Sequence, residues 1–239
     1  HRNDGARFVF LLPLLLALLL PLSATAVELA DITRLAKGGA SQLALSLLAE
    51  HQPVYEIEPK QWLRWERVRV RIMREHGRWS ELASHISDYP DGLPEEFRYW
   101  SDQHHASALI NAGEYSDARH LLRGLIWRPA IDEPVDGERL ALWRRLVMQS
   151  YLEEGRIADA YAAMLRYHQD YREQDGEALL LRAKVLLASG RAGESLAQLQ
   201  KMPSDGVIVA LRALATLRSD GATAAILKQA RAAMIEEKD

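Results

Sequence analysis

The sequence predicts an all-α fold, a solenoid of about five to six antiparallel helical hairpins spanning 27–239. Three observations lead there. No apolar/polar alternation runs between Asn-Gly or Asp-Gly turns, so strand signals are missing. A pattern of Gly, a few small or polar residues and then an apolar helix recurs along the chain. Stretches rich in Pro, Asp and Gly at 53–59, 88–94 and 129–136 punctuate the helical runs, with Pro59 and Pro94 where a helix start tolerates proline.

The N-terminus carries a different signal. Arg2 and Arg7 precede an uncharged run from Phe8 to Leu22, and Ser23-Ala24-Thr25-Ala26 follows with small residues at the -3 and -1 positions of a cleavage site. A basic start, apolar middle and Ala-x-Ala end make residues 1–26 a secretory signal peptide, cleaved after Ala26. The run is short of the roughly 20 residues a membrane-spanning helix needs, and Pro13 and Pro21 interrupt it. A periplasmic location follows as the expectation, with a retained membrane tether as the alternative. Losing Arg2, Arg7 and Asp4 takes 30 basic and 33 acidic residues to 28 and 32, a net charge of about −4 with no global pull toward nucleic acid or acidic membranes. The chain has no cysteine, so disulfides and thiolate metal sites are excluded and packing alone must hold it. It begins with His1 and not Met, which predicts a trimmed reading frame.

Gly38, Gly77, Gly113, Gly155 and Gly190 head the repeated segments, spaced 39, 36, 42 and 35 residues apart, and a sixth, weaker copy starts at Gly221. Helical stretches such as Glu138 to Glu154 and Glu177 to Ser189 precede these glycines. A left-handed Gly ends one helix at low cost, and a second helix follows the turn. Five residues after the Gly comes a small residue, Ala118 or Ala160, where helices would cross closely; four further on comes a larger apolar one, Ile86, Leu122, Met164 or Leu199. The two positions share a helix face. One hairpin cannot bury that face, and stacked hairpins can.

This layout resembles the tetratricopeptide repeat family. The family's turn Gly is matched by Gly77, Gly113, Gly155 and Gly190, its second-helix Ala by Ala118 and Ala160, loosely by Ser195 and not by Leu82. Tyr151 matches the aromatic before the turn, and Pro53, Pro90, Pro129 and Pro203 roughly match the closing Pro. The period drifts above the family's usual value of about 34. The resemblance covers about 28–235 in architecture and implies a right-handed superhelix whose first helices line a concave groove.

The chain shows no Gly-x-Ser-x-Gly, phosphate-binding loop or His-Glu-x-x-His, and no cofactor is expected. Adjacent His104 and His105 point to different helix faces and are poorly placed to share a metal. Glu194-Ser195 resembles the catalytic dipeptide of soluble lytic transglycosylases, but it sits inside a repeat without that family's neighbouring segment. Some members of that family carry an exported, superhelical α region ahead of a catalytic domain, and this chain is similar to it in layout. The alternative reading is therefore a non-catalytic arm of a peptidoglycan-degrading enzyme.

Counting back from each turn Gly by the tetratricopeptide spacing selects the groove-facing positions. They are Arg64, Arg67, Arg71 and Arg74 on one helix, Trp100, Gln103, Ser107 and Asn111 on the next, then Arg145 and Gln149, then Lys184. Arginine forks suit carboxylates and phosphates, and Trp anchors interfaces. The expected partner is another protein or peptide, acidic or carboxylate-ending, or else peptidoglycan. A solvated face, with Glu66 and Glu75 pairing along it, is the other reading of the same arginines. The remaining tryptophans, Trp62, Trp65, Trp79, Trp127 and Trp143, are expected to fill gaps between helices.

Overall fold

A computed structural model describes residues 28–127, 137–171, 175–220 and 228. The signal-peptide reading, the copy starting at Gly221 and the stretch at 129–136 lie outside the described residues. The described chain is all-α, with eleven helices and no strand, and consecutive helices pack on one another. It divides into two compact units, 1–69 and 70–239.

The first unit holds α1 (Leu29–Lys37), α2 (Ser41–His51) and the first part of α3 (Pro59–Glu75). α1 and α2 pack as a pair and bury Ile32, Ala36, Ala44, Leu45 and Leu48. A polar cluster is buried beside them. Glu66 is 1% exposed and Arg69 is 7% exposed. The Glu66 carboxylate accepts from Gln52 Nε2 at 2.6 Å and from Arg69 Nε at 3.2 Å, and Arg69 also donates to the Gln52 carbonyl oxygen. Each polar group there offsets the desolvation of another.

The second unit continues with α4 (Trp79–Ser87), α5 (Glu95–Ala112), α6 (Tyr115–Trp127), α7 (Gly137–Glu153), α8 (Ile157–Asp170), α9 (Gly176–Ala188), α10 (Ala192–Leu199) and α11 (Gly206–Asp220). From α4 onward each helix packs on the next, and alternate helices α5, α7, α9 and α11 also pack side by side. Its core runs from Ala106, Leu122 and Trp143 through Met148, Met164 and Val185 to Leu187, Leu199 and Ala215.

One turn recurs five times. Glycine at 39, 77, 113, 155 and 190 has a positive φ. At Gly113 the value is 89°, and two hydrogen bonds close the helix: Gly113 N–H to Ile110 O at 3.1 Å and Glu114 N–H to Leu109 O at 2.8 Å. This double closure is a Schellman motif, and a Cβ would be strained in that backbone. The residue after the Gly then accepts the first bond of the next helix, as Glu114 O does from Ala118 N–H at 3.1 Å.

The first repeat needs a correction of one residue. Gly38, expected at the turn, has φ −77°, and Gly39 takes the left-handed conformation at 89°. The corrected frame places Ala44 five residues on and Leu48 nine on, both fully buried, whereas Leu43 is half exposed. In this frame the small-residue position holds Ala44, Leu82, Ala118, Ala160 and Ser195, and all five are fully buried. The position four further on, held by Leu48, Ile86, Leu122, Met164 and Leu199, is buried as well. Leu82 departs from the small residue expected there and is accommodated.

Candidate functional site

The first-helix positions selected from sequence fall on α3, α5, α7 and α9. Arg64 and Arg67, in the first unit, are exposed, as are Arg71 and Arg74 in the second. Arg64 donates to Gln61 Oε1 at 3.4 Å along its own helix.

On α5, Trp100, Gln103 and Ser107 are half-exposed and Asn111 is exposed. The Trp100 ring lies 5.0 Å from Phe97 and meets His104 edge-on at 4.6 Å. Its indole is thus held on two sides, which fixes it on the helix surface. Asn111 Nδ2 donates to Ser107 O at 2.8 Å, so its amide folds back along the helix. His105 is half-buried, and burial pushes its pKa below the ordinary imidazole value.

On α7, Arg145 and Gln149 are half-exposed, but Arg145 already has a carboxylate partner. Its guanidinium bonds Asp175, with Glu177 3.9 Å away. Asp175 is the N-cap of α9 and accepts from Ala178 N–H at 2.8 Å. Burial works to raise the Asp175 pKa, yet the Ala178 N–H and the Arg145 guanidinium outweigh it and hold the carboxyl below its usual value. Arg145 therefore docks α7 on the start of α9. Lys184 on α9 is half-exposed. Within the second unit, the structure brings Trp100, Gln103, Ser107, Asn111, Arg145, Gln149 and Lys184 onto helices that pack side by side.

Three hairpin turns share a local clip. The residue after the Gly is Arg78, Arg156 or Arg191, and each guanidinium pairs with an acid three residues on: Glu81, Asp159 at 2.7 Å and Glu194 at 2.7 Å. Glu194 is thus paired in a turn, and neighbouring Ser195 is buried with its hydroxyl donating to Ala183 O at 2.8 Å. Among the described residues no group of three or more His, Cys, Asp or Glu could hold a metal ion, and no helix is long and apolar enough to cross a membrane.

A second feature lies on the other set of helices. α6 and α8 pack on α7 and not on one another, and an open pocket of about 460 Å³ lies between them. α7 supplies its floor through Arg144, Val147 and Tyr151, while α6 contributes Ile126 and Trp127. Asp159, Ala162, Ala163, Arg166, Tyr167, Gln169 and Asp170 come from α8. Trp127 is 77% exposed, so it fills no gap between helices, whereas Trp65 and Trp143 are buried as expected. Arg119 on α6 stabilises the arrangement. It pairs with Glu154 at 2.8 Å and lies 4.6 Å from the Tyr151 ring, which Arg156 approaches at 5.0 Å. Burial raises the Tyr167 pKa above the ordinary phenol value, so this hydroxyl stays protonated at neutral pH.

No protein-family model, curated protein or solved structure matches the chain. What the fold defines is an all-helical protein of consecutively packed helices with a repeated turn, compatible with a helical-repeat architecture.

Proposed function

We propose that this chain is an exported, non-enzymatic scaffold that binds protein in the bacterial periplasm or cell envelope. Its hairpins are TPR-like and form a right-handed superhelix, and a groove on the first-helix face receives an acidic or carboxylate-ending segment. The observation that supports this reading most is the side-by-side packing of α5, α7, α9 and α11. Such a layer presents one surface from several repeats, as solenoid binding surfaces do. The amides of Gln103, Asn111 and Gln149 offer directional hydrogen bonds there, and Trp100 offers a held aromatic face. Arg145 bonds Asp175, so its charge is answered within the protein.

Two variants test the reading by capture from an envelope extract followed by mass spectrometry. Arg67→Glu with Arg71→Glu should weaken capture of the specific partner, and Gln103→Ala with Asn111→Ala should weaken it independently. Capture unchanged in both would remove the first-helix face from the argument. Release of muropeptides from peptidoglycan by the purified chain would overturn the non-enzymatic reading. N-terminal sequencing of the secreted form should begin at Val27; an intact N-terminus would favour a tether.

A further inference from the structure

We infer that the pocket between α6 and α8 is a second binding site, one that takes a bulky apolar side chain next to a carboxylate on a peptide segment. Three features carry this. First, the space exists because small side chains, Ala162 and Ala163, face it, and because α6 and α8 do not meet. Its volume of about 460 Å³ lies within the range of small-ligand pockets. Second, the apolar part is open to solvent. Trp127 leaves 77% of its surface exposed, and Ile126 and Val147 lie in the same lining. A large ring left in water beside an apolar floor gains from being covered.

The third feature is charge. Four charged side chains line the pocket, and three are compensated within the protein: Arg144 pairs with Asp170, and Asp159 pairs with Arg156. Arg166 is exposed and has no ion pair among the described residues. Among the described residues, the lining therefore carries one positive charge without an ion-pair partner. A carboxylate answers it through charge-assisted hydrogen bonds, while a neutral sugar would leave it unanswered. The site lies on helices α6 and α8 and needs neither the α3 arginines nor the polar row on α5, so it goes beyond the groove reading.

The experiment uses the purified ¹⁵N-labelled protein and three probes: N-acetyl-leucine, its C-terminal amide and N,N′-diacetylchitobiose. Loss of one indole N–H signal in Trp127→Phe identifies the Trp127 resonance. N-acetyl-leucine should move that resonance saturably, and the amide should bind roughly tenfold more weakly. Arg166→Gln should bring the acid down to the amide's affinity. Ala162→Leu, at an exposed position that the fold tolerates, should abolish binding of both. Equal binding of acid and amide would overturn the carboxylate assignment. Acid binding unchanged by Ala162→Leu, or no response to any probe, would overturn the site. A response to the disaccharide alone would replace the peptide with a glycan. None of these outcomes depends on capture by the first-helix face, so the two readings fail separately.

Discussion

Gly113 and Gly124 flank and occupy the same helix, α6, and the same substitution should move stability in opposite directions at the two. Gly113 sits in the turn with φ 89°, and an added Cβ would meet nothing within 4 Å. The cost of Gly113→Ala is therefore one of backbone conformation, with no clash to relax. Forcing an L side chain into the left-handed region costs about 1–2 kcal/mol. Reduced freedom of the unfolded chain returns about 0.4–1 kcal/mol. The net is a loss of roughly 1 kcal/mol. Gly124 lies inside α6, is exposed, has no positive φ, and its Cβ would also meet nothing within 4 Å. There Ala is the better helix former by about 0.5–1 kcal/mol.

The two variants should therefore differ by about 2 kcal/mol, or roughly 4–8 °C in Tm for a domain of this size. Thermal and urea unfolding followed by circular dichroism would measure both, with wild type and the double variant in the same series. The double variant should return close to wild type. A stabilising or neutral Gly113→Ala would refute the claim that the recurring turn requires a left-handed residue. A destabilising Gly124→Ala would refute the claim that its surroundings are open.

Other outcomes follow from particular contacts. Glu66→Ala leaves Arg69 and Gln52 without their buried partner and should cost about 3–5 kcal/mol, read as lost amide-exchange protection in α1 and α2. Arg212 donates to Leu199 O at 2.7 Å, Met202 O at 2.6 Å and Ser204 Oγ at 2.8 Å, closing the end of α10. Arg212→Met should cost about 1–3 kcal/mol by urea unfolding, because it takes the side-chain donor from Met202 O and leaves Leu199 O only its bond from Met202 N–H. Burial disfavours the charged imidazole of His105 and lowers its folded pKa below the unfolded value near 6.5. The unfolded chain then binds the proton first, and the His105 contribution is present above pH 6.5 and lost as pH falls through the folded pKa. Stability should decline over that acidic window in wild type and decline less in His105→Gln, measured by urea midpoints between neutral and mildly acidic pH. Asp175→Asn should remove a component of stability that is present above the ordinary Asp value of 3.8 and is lost in stronger acid.

The parts of the fold legible in sequence are those closed by short-range physics. A helix stop, a left-handed Gly and the buried residues five and nine positions later all lie within one stretch of chain. That is why Gly77, Gly113, Gly155 and Gly190, and the Ala or Ser partners of the last three, could be read directly. The slip at Gly38 has the same origin. Two adjacent glycines can each end α1, and only the burial of Ala44 rather than Leu43 decides between them. The clip from Arg78, Arg156 and Arg191 to an acid three residues on was equally local and equally visible, yet an Arg-x-x-acid spacing is common on helices. Only its repetition after three of the turn glycines gives it meaning.

The site residues obey a different rule, because their partners lie a hairpin away. Arg145 looked like a groove cation, but it meets Asp175, and that encounter depends on how α7 lies on α9. Trp127 is expected to fill a gap like the other tryptophans, and its exposure depends on α8 standing clear of α6. In both cases the side chain's own segment carries no mark of the outcome. The turn frame nonetheless narrows such cases. Once Gly190 is fixed as the turn, Glu194 falls at the clip position and Ser195 at the buried crossing position. Their ordinary places in the repeat then account for a dipeptide that in isolation resembled a catalytic one. The repeat frame assigns partners to other charged residues in the same way, as it pairs Arg156 with Asp159. Arg166 has no ion-pair partner among the described residues, whereas Glu194 is bound in the turn clip.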